Sequence, residues 1–281
     1  MKKRRSEQGI QLPFYKIHGA GNDMLVFEAK KLPLKAEAKA EFLRRMAHRQ
    51  LGAGADQLLE ILSKKPLGIQ IWNQDGTMAE MCANGARSFL FLAEHEGWAK
   101  PNSKKRVPLM ISGKAYEGLK TKLGFEICVG APSVLGFDSV PVQGETVPFY
   151  EVSVGNPHAV ILCAGEKDHW KLPRNFSFRH YGPLLENHKR FPKKTNVEFV
   201  RSMKLEAGVA VAEVEVWERG AGATLSCGSG AVAVARVLRQ ELKVDQVRIL
   251  MNGFELRIRF EGDLAYLGGP SALVAKGIYF S

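Results

Sequence analysis

Met81-Cys82-Ala83-Asn84-Gly85-Ala86 and Ser226-Cys227-Gly228-Ser229-Gly230-Ala231 are two versions of one phrase, a Cys-x-x-Gly-Ala that leads into an apolar, helix-forming run. After the first, Ala86, Phe89, Leu90 and Ala93 recur at i, i+3, i+4 and i+7, the spacing of one helix face. After the second, the run from Ala231 to Val237 is apolar on nearly every side, as befits a helix enclosed by a sheet layer or barrel. Each helix therefore starts at a cysteine. A helix N-terminus offers backbone N–H groups with no carbonyl partner and the positive end of the macrodipole, so a thiol there is drawn toward thiolate and a carboxylate finds ready donors. Two such thiols facing each other would make a two-base proton-transfer site.

Working outward, strand-like runs dominate both halves: Phe14 to Ile17, Met24 to Phe27, Leu58 to Leu62, Gly68 to Trp72, Val107 to Ile111, Val152 to Val154, Ala159 to Leu162, Val197 to Val200 and Val209 to Trp217. Val247 to Met251 and Phe254 to Phe260 flank Asn252-Gly253 and predict a hairpin. Three helices are expected, over Ala36 to Arg49, Asn84 to about Glu96, and Gly228 to about Leu242. Several strands around one cysteine-headed helix thus occur twice, a pseudo-repeat of half the chain. The expected fold is α/β (α+β) with two pseudo-symmetric domains. One is residues 1–130, completed by a last strand at about 272–281, and the other is residues 131–271, with the turnover near Cys128 to Ser133. No Pro/Ser-rich linker separates them, so two closely packed domains with a ligand cleft are expected.

The chain has 281 residues, 45% of them hydrophobic and 25% charged, the balance of a soluble globular protein. Cys82, Cys128, Cys163 and Cys227 are too sparse for a secreted disulfide scaffold and lack the paired spacing of a zinc site, which points to reduced thiols in a cytoplasm. Cys128 and Cys163, in apolar strand-like runs, read as ordinary buried thiols. The basic start Met1 to Arg5 runs into polar residues rather than an apolar signal core and is expected to be a disordered tail. No window reaches the roughly 18 apolar residues of a membrane helix. Forty Lys and Arg against 29 Asp and Glu give a net charge of +11, which keeps nucleic acid as a rival partner. The local clusters, Lys30-Lys31, Lys64-Lys65, Lys104 to Arg106 and Lys193-Lys194, are scattered and sit in no nucleic-acid-reading motif, so a solvated surface is favoured.

Polar loops cluster around the strands: His18-Gly19-Ala20-Gly21-Asn22-Asp23, Gly54-Ala55-Asp56-Gln57, Asn73-Gln74-Asp75-Gly76, Gly155-Asn156-Pro157-His158, Thr195-Asn196 and Glu218-Arg219-Gly220-Ala221-Gly222. Glycine allows close backbone approach, and asparagine brings a donor and an acceptor without charge, a kit suited to a zwitterion. Gly228 to Ala233 also fits a loose dinucleotide fingerprint, but the preceding strand ends too early and no βαβ unit follows. His18 and His158 lack a third clustered metal ligand.

In this order, from Phe14 to Gly268-Gly269-Pro270, the motifs resemble the diaminopimelate epimerase family, with Met81 to Arg87 and Glu218 to Gly222 the most specific. The resemblance implies two pseudo-symmetric domains, each a β-barrel wrapped around a central helix. It implies interconversion of LL- and meso-diaminopimelate with no cofactor, neither pyridoxal phosphate nor metal. It makes Cys82 and Cys227 the acid/base pair, with the N–H groups of Ala83, Asn84, Gly228 and Ser229 receiving the substrate carboxylate. It puts Asn22 near the reacting centre and Asn73, Asn156, Asn196 and Arg219 at the distal end, with Glu218 at the distal ammonium or in the acid/base network. Gln57 lines the same pocket, and His158 is expected behind a thiol as its tuner. The family usually has Gly where this chain has Ala83, and Glu where it has Ala223. A related racemase for another amino acid is the nearer alternative, a basic nucleic-acid-binding protein the more distant one. The resemblance leaves room for a homodimer.

Overall fold

The computed structural model describes residues 9–163 and 176–281, which leaves the Met1 to Arg5 tail outside. The chain forms two units: Asp23–Leu119 with the chain up to Gly19 and Ser271–Ser281, and Lys120–Pro270 with Ala20–Asn22. In order along the chain come β1 (Gln11–Gly19), β2 (Asn22–Glu28), α1 (Ala36–Ala47), β3 (Gln57–Lys64), β4 (Leu67–Asn73), β5 (Met78–Ala79), α2 (Ala83–His95), β6 (Arg106–Ile111) and β7 (Lys114–Thr121). Then follow β8 (Gly124–Cys128), β9 (Ser133–Val142), β10 (Glu145–Ser153), β11 (Pro157–Leu162), α3 (Phe178–Glu186), β12 (Asn196–Glu206), β13 (Val209–Glu218), β14 (Gly222–Ala223) and α4 (Gly228–Leu242). The chain closes with β15 (Gln246–Met251), β16 (Phe254–Glu261), β17 (Leu264–Gly268) and β18 (Ser271–Phe280).

The two units repeat one pairing scheme. In the first, β18 and β1 are antiparallel, β1 pairs with β2, β2 runs parallel to β3, β3 antiparallel to β4, and β4 parallel to β6. In the second, the same sequence of relations runs β9, β10, β11, β12, β13 and β15, with β11–β12 and β13–β15 the parallel pairs. A parallel pair needs a crossover, and a helix fills each one: α1 and α2 in the first unit, α3 and α4 in the second. The short β5 and β14 pair back onto β4 and β13 just before the cysteines.

Strand alternation separates the roles of these helices. Leu58 joins Phe42, Leu43 and Met46 of α1 and Trp72 in one core, whereas its neighbour Leu59 lies under Gly85 at the start of α2. On β12, Val197 and Phe199 join Leu185 of α3, and Glu198 between them lies under Gly230 at the start of α4. α4 packs against β9 to β13 and β15 to β17 and buries all of Gly230 to Ala235, the enclosed helix that its apolar run predicts.

The expected helices and the hairpin at Asn252-Gly253 stand where the sequence puts them, α4 with the same bounds. α3 is the helix that the residue pattern does not announce, because Gly182 and Pro183 lie inside it and both are poor helix formers. Gly182 is there for contact. A Cβ at that position would stand 2.5 Å from Trp217 Cγ, so only glycine lets α3 lie on the end of β13. Gly182→Ala should therefore cost about 1–3 kcal/mol of stability by overpacking, read as a lower midpoint in urea with an unchanged slope.

Candidate active site

Both cysteines are helix N-caps with extended backbone angles. Cys82 Sγ accepts the N–H of Gly85 at 3.3 Å, and Cys227 Sγ accepts the N–H of Gly230 at 3.3 Å. The glycines three residues on therefore supply the N–H that completes each cap. Ala83 and Asn84, like Gly228 and Ser229, are the first-turn residues, whose N–H groups have no carbonyl partner within the helix.

The electrostatic settings differ. Cys227 is 5% exposed, with Ser229 Oγ 3.4 Å from its sulfur. Burial, then the charges of Glu218 and Glu198, push its thiol well above its ordinary pKa. A helix N-terminus stabilises an anion by only about 0.3–1 kcal/mol in ordinary settings, so here burial and the two carboxylates win and Cys227 is held as thiol. Cys82 is half-buried and heads a helix whose next turn carries the buried Arg87. Cys163, just after β11, is pushed up to about 11 by burial, in keeping with an inert thiol.

His158 is completely buried. Its Nδ1 lies 2.7 Å from Glu198 Oε1 and its Nε2 3.0 Å from Asn156 Oδ1, so the ring is fixed at both ends. Glu198 was legible only as an acid within an apolar strand; it too is fully buried, and its Oε2 has no hydrogen-bond partner among the described residues. Asn196 is occupied at both ends: its Nδ2 donates to the Pro157 carbonyl at 2.9 Å and its Oδ1 accepts the N–H of Arg219 at 3.0 Å. Glu186, at the end of α3, accepts from Trp217 Nε1 at 2.8 Å and from the N–H of Gly220 at 3.0 Å, and so holds the other side of the Arg219 loop. Glu218 accepts the Thr224 hydroxyl. Arg219 is exposed and shares a hollow of about 560 Å³ with Asn156, Ser153, Arg190, Lys193 and Lys194.

In the first unit, Gln57 opens β3 opposite Asn73 at the end of β4, with Gln57 Nε2 3.5 Å from Asn73 Oδ1, and Asn73 Nδ2 donates to Thr77 Oγ1 at 3.0 Å. Gln57 Oε1 is buried with no partner among the described residues. Asn22 is half-buried at the first position of β2. Beside it Asp23 pairs with Lys16 at 2.7 Å and Arg49 at 2.8 Å, and its Oδ1 accepts the N–H of Asp56 at 3.0 Å, which ties the two polar loops together. Ala83 is the first residue of α2 and its φ is not positive, so its methyl sits on ordinary helical backbone. Ala223 pairs with Trp217 in the β13–β14 ladder.

In each basic cluster one member has a local acidic partner: Lys30 and Lys64 both pair with Glu28, Arg106 with Glu117 and Lys194 with Glu186. Among the described residues no helix is long and apolar enough to cross a membrane, and no three His, Cys, Asp or Glu side chains are grouped to hold a metal ion.

Repeated units, each with a cysteine capping its central helix, define the class of this protein. Its fold is that of a hydroxyproline epimerase from Agrobacterium vitis (TM-score 0.70, 12% identity, 99% of this chain and 94% of that one). It is also that of a PhzF-family phenazine biosynthesis protein from Bacillus anthracis (TM-score 0.69, 12% identity, 96% and 98%). Such identities speak for fold alone. The family pattern described as diaminopimelate epimerase matches residues 14–109 and 150–274. Proteins named diaminopimelate epimerase from Desulfitobacterium hafniense and Xanthomonas euvesicatoria pv. vesicatoria are 34% and 35% identical over 94% and 95% of this chain, and over 96% of their own lengths. The chain belongs to the diaminopimelate epimerase family.

The Asp23 cluster carries a pH signature. Burial alone would raise its pKa, but the hydrogen bonds from Arg49 and Lys16 outweigh it and hold the carboxyl at about 2 against an ordinary 3.8. A carboxyl depressed on folding stabilises above its unfolded pKa and loses that contribution as pH falls through the folded value. Stability should therefore drop from about pH 4 to about pH 2 by an amount on the order of 1 kcal/mol after solvent screening, and Asp23→Asn should flatten that limb in urea titrations.

Proposed function

We propose that this protein interconverts LL- and meso-diaminopimelate by a two-base mechanism, with no pyridoxal phosphate and no metal, in the supply of lysine and peptidoglycan precursor. The observation that carries the reading is the pair of cysteines, each capping the central helix of its unit with its sulfur on the N–H three residues on. Cys82 as thiolate takes the α-proton, and Cys227 as thiol delivers its own to the opposite face of Cα. An amino-acid α-C–H is a very weak acid, so the developing charge on the α-carboxylate needs donors already in place. The first-turn N–H groups of Ala83, Asn84, Gly228 and Ser229 are the donors, and they need no reorganisation because the helices hold them.

Arg219 suits a bidentate grip on the distal carboxylate and selects a diamino diacid over an ordinary amino acid. Asn73, Asn156 and Asn196 position the distal end, Asn22 and Gln57 line the reacting side, and Glu218 meets the distal ammonium or backs Cys227. His158, held by Glu198 and Asn156, acts behind a thiol rather than on the substrate. The reading places the protein in the cytoplasm, where both thiols stay reduced, and a homodimer is compatible with it.

The test is epimerisation of LL-diaminopimelate by the reduced protein. Cys82→Ala and Cys227→Ala should each lose activity by at least about a thousandfold, and serine at either position should rescue little, a hydroxyl being a far weaker base than a thiolate. Substantial turnover by both alanine variants would refute the two-base reading. Arg219→Met should cripple an enzyme that needs the distal carboxylate; full activity in that variant would favour a racemase for another amino acid.

A further inference from the structure

Arg87 closes the motif that begins at Met81. It is 0% exposed. Its Nε and Nη2 both donate to Asn84 Oδ1, at 3.2 and 2.9 Å, and its Nη1 donates to Ser271 Oγ at 3.2 Å. Ser271 Oγ also lies 3.0 Å from Ser88 Oγ, so the guanidinium and its neighbours tie the first turns of α2 to the start of β18. Gly19 makes room for this. A Cβ there would stand 2.5 Å from Ser88 Oγ and 3.0 Å from Arg87 Nη2. A guanidinium is costly to bury, and burial pulls Arg87 down to about 10; the charge of Cys82 acts in the opposite direction.

The second unit lacks the cation and carries a carboxylate at a different matching position. Where α2 has Arg87, α4 has Val232, 0% exposed. The strand residue beneath the third helical residue is Leu59 under Gly85 in the first unit and Glu198 under Gly230 in the second. One cysteine thus heads a helix with a buried cation, the other a helix seated on a buried carboxylate.

We propose that Arg87 is a positioning residue that makes Cys82 the thiolate of the resting enzyme, holding a buried positive charge at the capped end of α2 and fixing Asn84 for the substrate carboxylate. This rests on the reading of Cys82 as a base. The proton balance follows: a turnover leaves the α-proton on Cys82 and a thiolate on Cys227, and one proton passing through solvent from Cys82 to Cys227 restores the resting form. The other charged groups on the strands packed against α2 are engaged elsewhere: Lys16 with Asp23, Glu60 with Lys39 and Trp72, Lys64 with Glu28, Lys276 and Tyr15 with Glu96. His18, next to Gly19, is the titratable side chain to be controlled for, and Glu218 and Glu198 are those facing Cys227.

The experiment is alkylation of the full-length protein by iodoacetamide against pH, with each cysteine quantified from its own peptide, beside the pH profile of kcat/KM. In the wild type, Cys82 should titrate at least one pH unit below Cys227. Arg87→Met should raise the Cys82 midpoint by a unit or more, move the acid limb of kcat/KM up with it, and lower kcat/KM at neutral pH at least tenfold. Arg87→Lys should bring the midpoint most of the way back, and His18→Gln should leave it in place. A midpoint and acid limb unmoved in Arg87→Met would overturn the inference. So would a wild-type Cys82 midpoint at or above that of Cys227, a result available even if the methionine variant does not fold. An unmoved midpoint in an enzyme that still needs both cysteines refutes the role of Arg87 alone; the expected midpoints without epimerisation refute the functional reading alone.

Discussion

Everything in this protein turns on a short contact between a cysteine sulfur and the backbone N–H three residues on, made once by Cys82 and once by Cys227. Sulfur is a weaker cap than the oxygen of Ser, Asp or Asn. Its use at both helix starts makes sense if the cap must also accept and give up a proton. The glycine that donates has a further reason to be glycine in the second unit, where a Cβ at Gly230 would stand 2.7 Å from Glu198 Oε1. The architecture follows from the same requirement. Each central helix crosses between parallel strands, and its N-terminus must come to the end of a sheet where the polar loops gather.

Duplicating a unit duplicates its chemistry, and a two-base reaction needs the copies to differ. Cys227 is sealed in and held as thiol by burial and two carboxylates. Cys82 is more open and heads a helix whose Gly85 lies over an apolar strand residue and whose next turn carries the buried Arg87. The buried dyad of His158 and Glu198 belongs to the second unit; at the equivalent register β2 and β3 carry Met24 and Leu59. The divergence is thus concentrated beneath the helix starts, while the strand pairing stays the same.

Legibility of the sequence followed the physics of each element. The helices after the cysteines and most strands were readable because apolar periodicity is local. α3 was hidden because it contains a glycine and a proline, both poor helix formers, and the glycine answers to Trp217, far away in sequence. The cysteines stood out because the phrase around them recurs. Glu198 and Glu186 did not, since their importance comes from partners on other elements: His158 for one, Trp217 and Gly220 for the other. Arg87 was in plain view within its motif, but only its burial, its grip on Asn84 and the fit of Gly19 give it meaning.

The most direct measurement is isotopic: LL-diaminopimelate turned over by the reduced protein in D₂O, with α-deuterium followed separately in product and in remaining substrate at early times. If two thiols act on opposite faces, the product carries solvent deuterium from its first appearance while the remaining substrate stays protonated. Product that retains the substrate's own α-proton would mean a single base acting on both faces, and would contradict the account.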